Sequence, residues 1–244
     1  MRSIFLTSDQ HYDDENARRW GHRPFDTVEE MNEAMVERWN AIVGKDDLVY
    51  HLGDFSVTDE GLEFASRLNG DIELIVGNHD LKRDPRQLRR AFSNIRHDPF
   101  SISVQDGDDE VLLWLCHYPL QRRFSIDERP CYCVTGHVHG LWRIARNMVN
   151  VGVENWNYAP ISLEEVLNCR RCEMDGRWDA NVYPDAPIDW QMEVSMKVKR
   201  DCEEPTLGIL RDKVNADLPM EETDDYRREL AWKLSLGDVK WEVP

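Results

Sequence analysis

Apolar and polar positions in the first part of the chain follow two periods in turn. Ile4, Phe5 and Leu6 form a short apolar run inside Arg2–Ser8, and similar runs occupy Leu48–Leu52 and Ile72–Val76. Short apolar runs bounded by charges or turn residues predict buried strands. Between the first two runs the period becomes helical. Val28, Met31, Met35, Trp39 and Ile42 fall on one face, Thr27 and Glu30 form a capping box, and Gly44 can close the helix. A second helix is predicted from Thr58 to Leu68, with Gly70 after it, whereas residues 12–25, charged and containing Gly21 and Pro24, read as a loop. Strand and helix therefore alternate up to Val76, the pattern of an α/β fold.

The pattern then changes. Phe100–Val104 and Val111–Cys116 flank Asp106-Gly-Asp-Asp, which predicts a hairpin. A strand leading into Gly136 and another near Met148–Val153 read as antiparallel or mixed, and Ser162 with Glu165 forms a capping box that opens a short helix. Beyond about Asn168 the composition shifts. Trp190, Met192, Val194, Met196 and Val198 alternate with polar residues as a half-buried strand would, and Glu221–Leu236 reads as helical. The expectation is a domain over residues 1–167 and an acidic α+β extension over 168–244, packed on the core or on a partner.

What stands at the strand ends adds chemistry to this outline. The first run ends in Asp9-Gln-His11, the second in Gly53-Asp54 and the third in Gly77-Asn78-His79-Asp80. The second arm of the hairpin ends in His117, and Cys131–Thr135 runs into Gly136-His137-Val-His139-Gly140. In α/β folds ligands collect just past the carboxyl ends of strands. A mixture of carboxylate, amide oxygen and imidazole suits divalent transition metals. Two ions ~3.5–4 Å apart can share one carboxylate, and Asp54 is the candidate bridge.

Composition narrows the reading. Hydrophobic residues make up 41% of the 244, enough for a core, and no apolar run approaches the ~18 residues that cross a bilayer. The start of the chain lacks the long apolar region and small-residue cleavage site of a secretion signal, so the protein is expected to be cytoplasmic, with no membrane partner. Cys116, Cys131 and Cys133 sit in apolar runs, and Cys169-x-x-Cys172 has no second pair beyond the lone Cys202. Inert thiols are expected rather than a structural zinc site. The net charge of −17 argues against general binding of duplex nucleic acid and favours a small or locally docked substrate.

Taken together, Asp9-x-His11, Gly53-Asp54, Gly77-Asn78-His79-Asp80, His117 and Gly136-His137-x-His139 resemble the five motifs of the calcineurin-like metallophosphoesterases, in order, over roughly residues 2–165. Arg23-Pro-Phe25, Glu30-Met-Asn32, Trp39-Asn40, Val49–Phe55, Asn150–Val153 and Trp156-Asn157 further resemble a small bacterial and phage branch of that family. The resemblance implies a four-layer α/β/β/α sandwich, two mixed sheets flanked by helices. It implies two divalent ions, manganese first, with iron, zinc or nickel as alternatives. Asp9, His11 and His139 would hold one ion and Asn78, His117 and His137 the other, with Asp54 between them.

The implied reaction is hydrolysis of a phosphate ester, a phosphodiester before others and a nucleotide among the candidates. A metal-bridging hydroxide would attack in line, His79 would give a proton to the leaving oxygen, and Asp80 would brace the loop or the imidazole. Asn16, Arg23 and Trp156 are candidates for contact with substrate, although a surface or salt-bridged Arg23 is an equal alternative. His51 is expected to pack or hydrogen-bond rather than to ligate, and His22 and His97 to be solvated. The branch often carries a further His at the end of the first motif, where this chain has Asp14. The competing readings are a nuclease of the same fold, which the acidic composition disfavours, and a scaffold without catalysis, which the intact Asn78-His79 pair disfavours.

Overall fold

A computed structural model describes residues 2–119, 125–126, 129–141, 143–145 and 147–174. The strand expected at Trp190–Val198, the helix expected at Glu221–Leu236 and most of the expected C-terminal extension lie outside the described residues. In chain order the strands are β1 (Ile4–Thr7), β2 (Leu48–His51), β3 (Asp71–Ile75), β4 (Asn94–Arg96), β5 (Phe100–Asp106), β6 (Asp109–Leu115), β7 (Ser125–Ile126), β8 (Arg129–Thr135), β9 (Ile144–Ala145), β10 (Met148–Asn150) and β11 (Ile161–Ser162). The α-helices are α1 (Glu15–Trp20), α2 (Val28–Ile42), α3 (Pro85–Ala91) and α4 (Leu163–Met174).

The strands form two mixed sheets flanked by helices. The first has the order β11-β1-β2-β3-β4, parallel throughout except for β11, which runs antiparallel to β1. The second has the order β5-β6-β8-β10-β9, with β7 paired to β8. Its β6-β8 and β8-β10 pairs are parallel, and its outer pairs β5-β6 and β9-β10 are antiparallel.

The first sheet is buried on both faces, and the period of two along each strand divides its residues between two cores. Phe5, Val49, Ile72 and Leu74 pack with Met31, Met35 and Trp39 of α2, Leu62 and Ala65 of the 3-10 segment Glu60–Arg67, and Leu88 of α3. Their strand neighbours Leu6, Tyr50 and Ile75 point the other way. They meet Val111, Leu113 and Leu115 of β6, Tyr132 and Val134 of β8, and Val149 of β10. Full burial of a side chain such as Leu113 contributes about 1.5–3 kcal/mol. Among the described residues no helix is long and apolar enough to cross a membrane.

Both capping boxes start their helices, that of α4 reciprocally and that of α2 through Thr27 alone, because Glu30 Oε2 accepts from Asp26 N instead of Thr27 N. Thr27 Oγ1 accepts from Glu30 N at 3.1 Å and starts α2, while Glu165 Oε2 accepts from Ser162 N at 2.9 Å and starts α4. Helix α4 runs through the boundary expected at residue 167 and packs on β1, β10 and β11. Arg170 and Arg171 tie it to Asp106 at the β5–β6 turn.

Three expectations change. The stretch read as a loop contains α1, started by Asp14, whose Oδ1 accepts from Asn16 N and Ala17 N. The helix expected at 58–68 is a 3-10 segment. Ile42, placed on the apolar face of α2, is 45% exposed at the last turn.

Candidate metal centre

The carboxyl ends of β1, β2, β3, β6 and β8 converge, and their following loops bring seven donor residues together. Three overlapping groups have donor atoms close enough to hold a metal ion. They are Asp9 with His11 and His139, His11 with Asp54 and His79, and Asp54 with His117 and His137. Asn78 joins the third, its Oδ1 lying 3.1 Å from His117 Nε2 and 3.2 Å from His137 Nδ1. Asp54 Oδ2 stands between the sets, 3.6 Å from His11 Nε2 and 3.4 Å from His117 Nε2.

The backbone here adopts conformations that L-residues seldom take. Asp9, His11, Asp54, His137 and His139 all have positive φ, between 49° and 70°. Such a conformation costs on the order of 1–3 kcal/mol per residue and persists only where the surroundings impose it. Here the imposing contacts are visible: Asp9 N donates to Gly53 O, His11 N to Asp54 O, and His137 N to Asp9 Oδ2. Asp80, fully buried, accepts from the backbone N–H groups of Asp54, Phe55 and Gly77 and so fixes the β2 and β3 tips together. Gly136 is required by close approach, because a Cβ there would lie 2.0 Å from Ser8 Oγ and 2.5 Å from Asp9 Oδ2.

The residues present fit divalent ions. Asp9 Oδ1 and His11 Nε2 are buried and have no hydrogen-bond partner, a costly state for a carboxylate oxygen and an imidazole nitrogen. Donors sharing an ion at about 2.1 Å and roughly right-angled or tetrahedral to one another lie ~3.0–3.4 Å apart, close to the separations in the Asn78–His117–His137 group. The imidazole pKa values express the same demand for positive charge. Burial opposes protonation of His117, yet the Asp54 carboxylate raises it to about 9. Burial likewise opposes protonation of His139, and Glu154 with Asp9 raises it to about 9. Asp54 moves the other way: burial is outweighed by His117, His11 and His79, and its pKa lies well below the ordinary carboxylate value. A buried carboxylate cluster that draws protons onto neighbouring imidazoles is a site that favours cations.

His79 lies against His11, ring centroids 4.8 Å apart, and burial lowers its pKa, with Asp54 offsetting part of the shift. Asp80 is raised, by burial first and by Asp54 second. His51 is buried, accepts from Gly53 N through Nδ1 and packs on Phe55. His22 and His97 are exposed.

None of the three residues expected to contact substrate is part of the donor set. Asn16 is exposed on α1. Trp156 donates from Nε1 to Asn150 O and carries Arg143 over its ring at 4.6 Å, in a groove whose lining shares no residue with the donor set. Arg23 takes its ion-paired alternative. Its buried guanidinium donates to Glu154 Oε1 and to the carbonyls of Asp9 and Gln10. Glu154 in turn accepts from His139 Nδ1 at 2.9 Å, and Asp14 accepts from His11 Nδ1 at 3.0 Å. Sequence reasoning assigned neither acid this part. An Asp ahead of Glu15-Asn-Ala is a legible helix cap, but nothing in the spacing of Glu154 points to His139.

No family model matches the chain. The uncharacterized protein MJ1445 of Methanocaldococcus jannaschii is 31% identical over 176 residues, covering 68% of this chain and 90% of that protein. The Gene 66 protein of Mycobacterium phage L5 is 25% identical over 203 residues, covering 69% and 94%. A protein of unknown function from Aquifex aeolicus, AQ665, has the same fold at a TM-score of 0.51 and 24% identity, covering 68% of this chain and 98% of that one. On the extent of the first match, the chain belongs to the family of MJ1445.

Proposed function

We propose that the chain is a metal-dependent phosphoesterase of the calcineurin-like type, acting on a phosphodiester. The observation that carries this is Asp54 Oδ2, within 3.6 Å of an imidazole from each donor set. An oxygen so placed suits a pair of ions, one held by Asp9, His11 and His139 and the other by Asn78, His117 and His137. When bound, such ions supply Lewis-acid chemistry: they offset the charge of a phosphate ester and make water more acidic.

The chain's own residues do the rest in this reading. Asp54 Oδ1 accepts from His79 N at 2.8 Å, so the residue between the sets also places the proton donor. Burial makes the His79 imidazole a stronger acid than a solvated one, suited to protonating a leaving oxygen. Asp80 holds Asp54 and Gly77 by their backbone N–H groups and keeps both loops in register. Asn16 and Trp156 are left as candidates for the substrate rim.

The test is hydrolysis of bis-p-nitrophenyl phosphate and p-nitrophenyl phosphate by metal-stripped protein, with manganese, nickel or zinc added back. Diester turnover that depends on metal and is lost in Asp54→Ala and His137→Ala is the expected result. Unchanged turnover in both variants would refute the assignment, and turnover of the monoester alone would replace phosphodiesterase with phosphatase.

A further inference from the structure

The two donor sets are not equivalent, and the difference lies in what stands behind the imidazoles. In the Asp9 set both histidines give Nδ1–H to a carboxylate. His11 is bonded to Asp14 Oδ2 at 3.0 Å and His139 to Glu154 Oε1 at 2.9 Å. Both acids are held in turn. Asp14 Oδ1 caps α1 through Asn16 N and Ala17 N, and Glu154 Oε1 is pinned by Arg23 at 2.6 and 3.0 Å. The Asp9 carbonyl accepts from the same guanidinium at 2.7 Å, so one buried side chain locks two members of the set. In the Asn78 set, His117 gives Nδ1–H to the neutral carbonyl of Leu52, and a neutral carboxamide stands where the first set has the Asp9 carboxylate.

A carboxylate behind a ligating imidazole fixes its tautomer and orientation and makes the far nitrogen a stronger donor. An anionic ligand adds direct attraction that an amide lacks. Both effects act in the same direction and on the same set. We infer that Asp14 and Glu154 act as positioning residues that make the Asp9–His11–His139 set the tighter of two unequal metal positions. The inference rests on the two-ion reading of the site. It predicts stepwise loading: the Asp9 set fills first and keeps its ion, while the Asn78 set exchanges.

The experiment is calorimetric titration of Mn2+ into chelator-stripped full-length protein. Wild type is expected to show a tight and a weak phase, and His137→Ala to lose the weak one. Asp14→Ser keeps a helix cap but cannot reach His11, so it separates the two tasks of Asp14. Asp14→Ser and Glu154→Gln are each expected to weaken the tight phase by about 10–100-fold, leaving the weak phase within threefold and the circular dichroism unchanged. A general loss of structure would lower both phases together, so selective loss of one is the discriminating result. Two phases that neither variant alters, or equal affinities in wild type, would overturn the inference and leave the two-ion reading standing. Absence of Mn2+ binding in wild type would overturn both.

Discussion

Replacing Arg23 with Met asks how much of the fold depends on one buried guanidinium. The Arg23 side chain is 0% exposed and that of Glu154 is 7%. Arg23→Met keeps an apolar side chain of useful length beside Met31 but donates nothing to Glu154 Oε1, Asp9 O or Gln10 O. Removing one partner of a buried ion pair leaves the other charge uncompensated, at about 3–5 kcal/mol. Two carbonyls also lose a donor, each worth about 1–3 kcal/mol where water cannot reach. Relaxation around the smaller side chain offsets part of this, so a net loss of roughly 4 kcal/mol is expected. For a chain of this size that lowers Tm by about 8–16 °C. The assay is thermal and urea unfolding of chelator-treated protein, so that bound ions add nothing to the difference. Glu154→Gln keeps an oxygen that accepts from Arg23, so its loss of stability should be smaller and leave the fold intact. The double variant should recover about 2 kcal/mol relative to the sum of the single losses. A loss below about 1 kcal/mol in Arg23→Met, or strict additivity in the double variant, would refute the reasoning.

Two further outcomes follow from the same structure. Gly136→Ala should leave the fold recognisable by circular dichroism but abolish tight Mn2+ binding, because the new Cβ meets Ser8 Oγ and Asp9 Oδ2 at 2.0 and 2.5 Å; wild-type binding in this variant would contradict the close approach. Burial raises the Tyr158 phenol from 10.0 to about 12, with Glu154 adding to the rise. The folded state therefore favours the neutral phenol. That stabilisation is whole below pH 10 and is lost as the pH rises from 10 to about 12. The urea midpoint should fall across this window, and less steeply in Tyr158→Phe; equal slopes would count against a shift at this residue.

The chain advertises what depends on local patterning. Buried strands β1, β2 and β3 are apolar runs, the β5–β6 hairpin has its Asp-Gly turn, α2 has its Thr27 cap and α4 a reciprocal one, so their places are readable from neighbouring residues. The donor residues were legible for a related reason: each stands at the end of a readable strand, and the fold gathers strand ends. Helix α1 escaped because six residues hold no apolar period. Its support is polar, from the Asp14 cap and the pairing of Glu15 with Arg18 and Arg19. The segment at Glu60–Arg67 was placed but mistyped. Gly61, a weak helix former, packs its backbone against Ser56, where a Cβ would lie 2.1 Å from the Ser56 oxygen. The partnership of Arg23 with Glu154 was illegible because it joins residues 131 positions apart, and only the packed sheets decide that they meet.

That same separation bears on how the molecule assembles. Bringing the ends of a 131-residue stretch together costs an entropy on the order of 4 kcal/mol before any contact compensates it, by the (3/2)RT ln n scaling. Contacts of such range are slow to form, and they follow the local pairings that shorten the effective loop between them. On the ribosome the Asp9 set stays incomplete until His139 has emerged, and His139 lacks its supporting carboxylate until Glu154 follows, long after Asp9 has been synthesised. In the proposed two-ion reading, metal capture at that set would be a late event in the life of the chain, and a loaded Asp9 set would mark a molecule whose two sheets have already closed on each other.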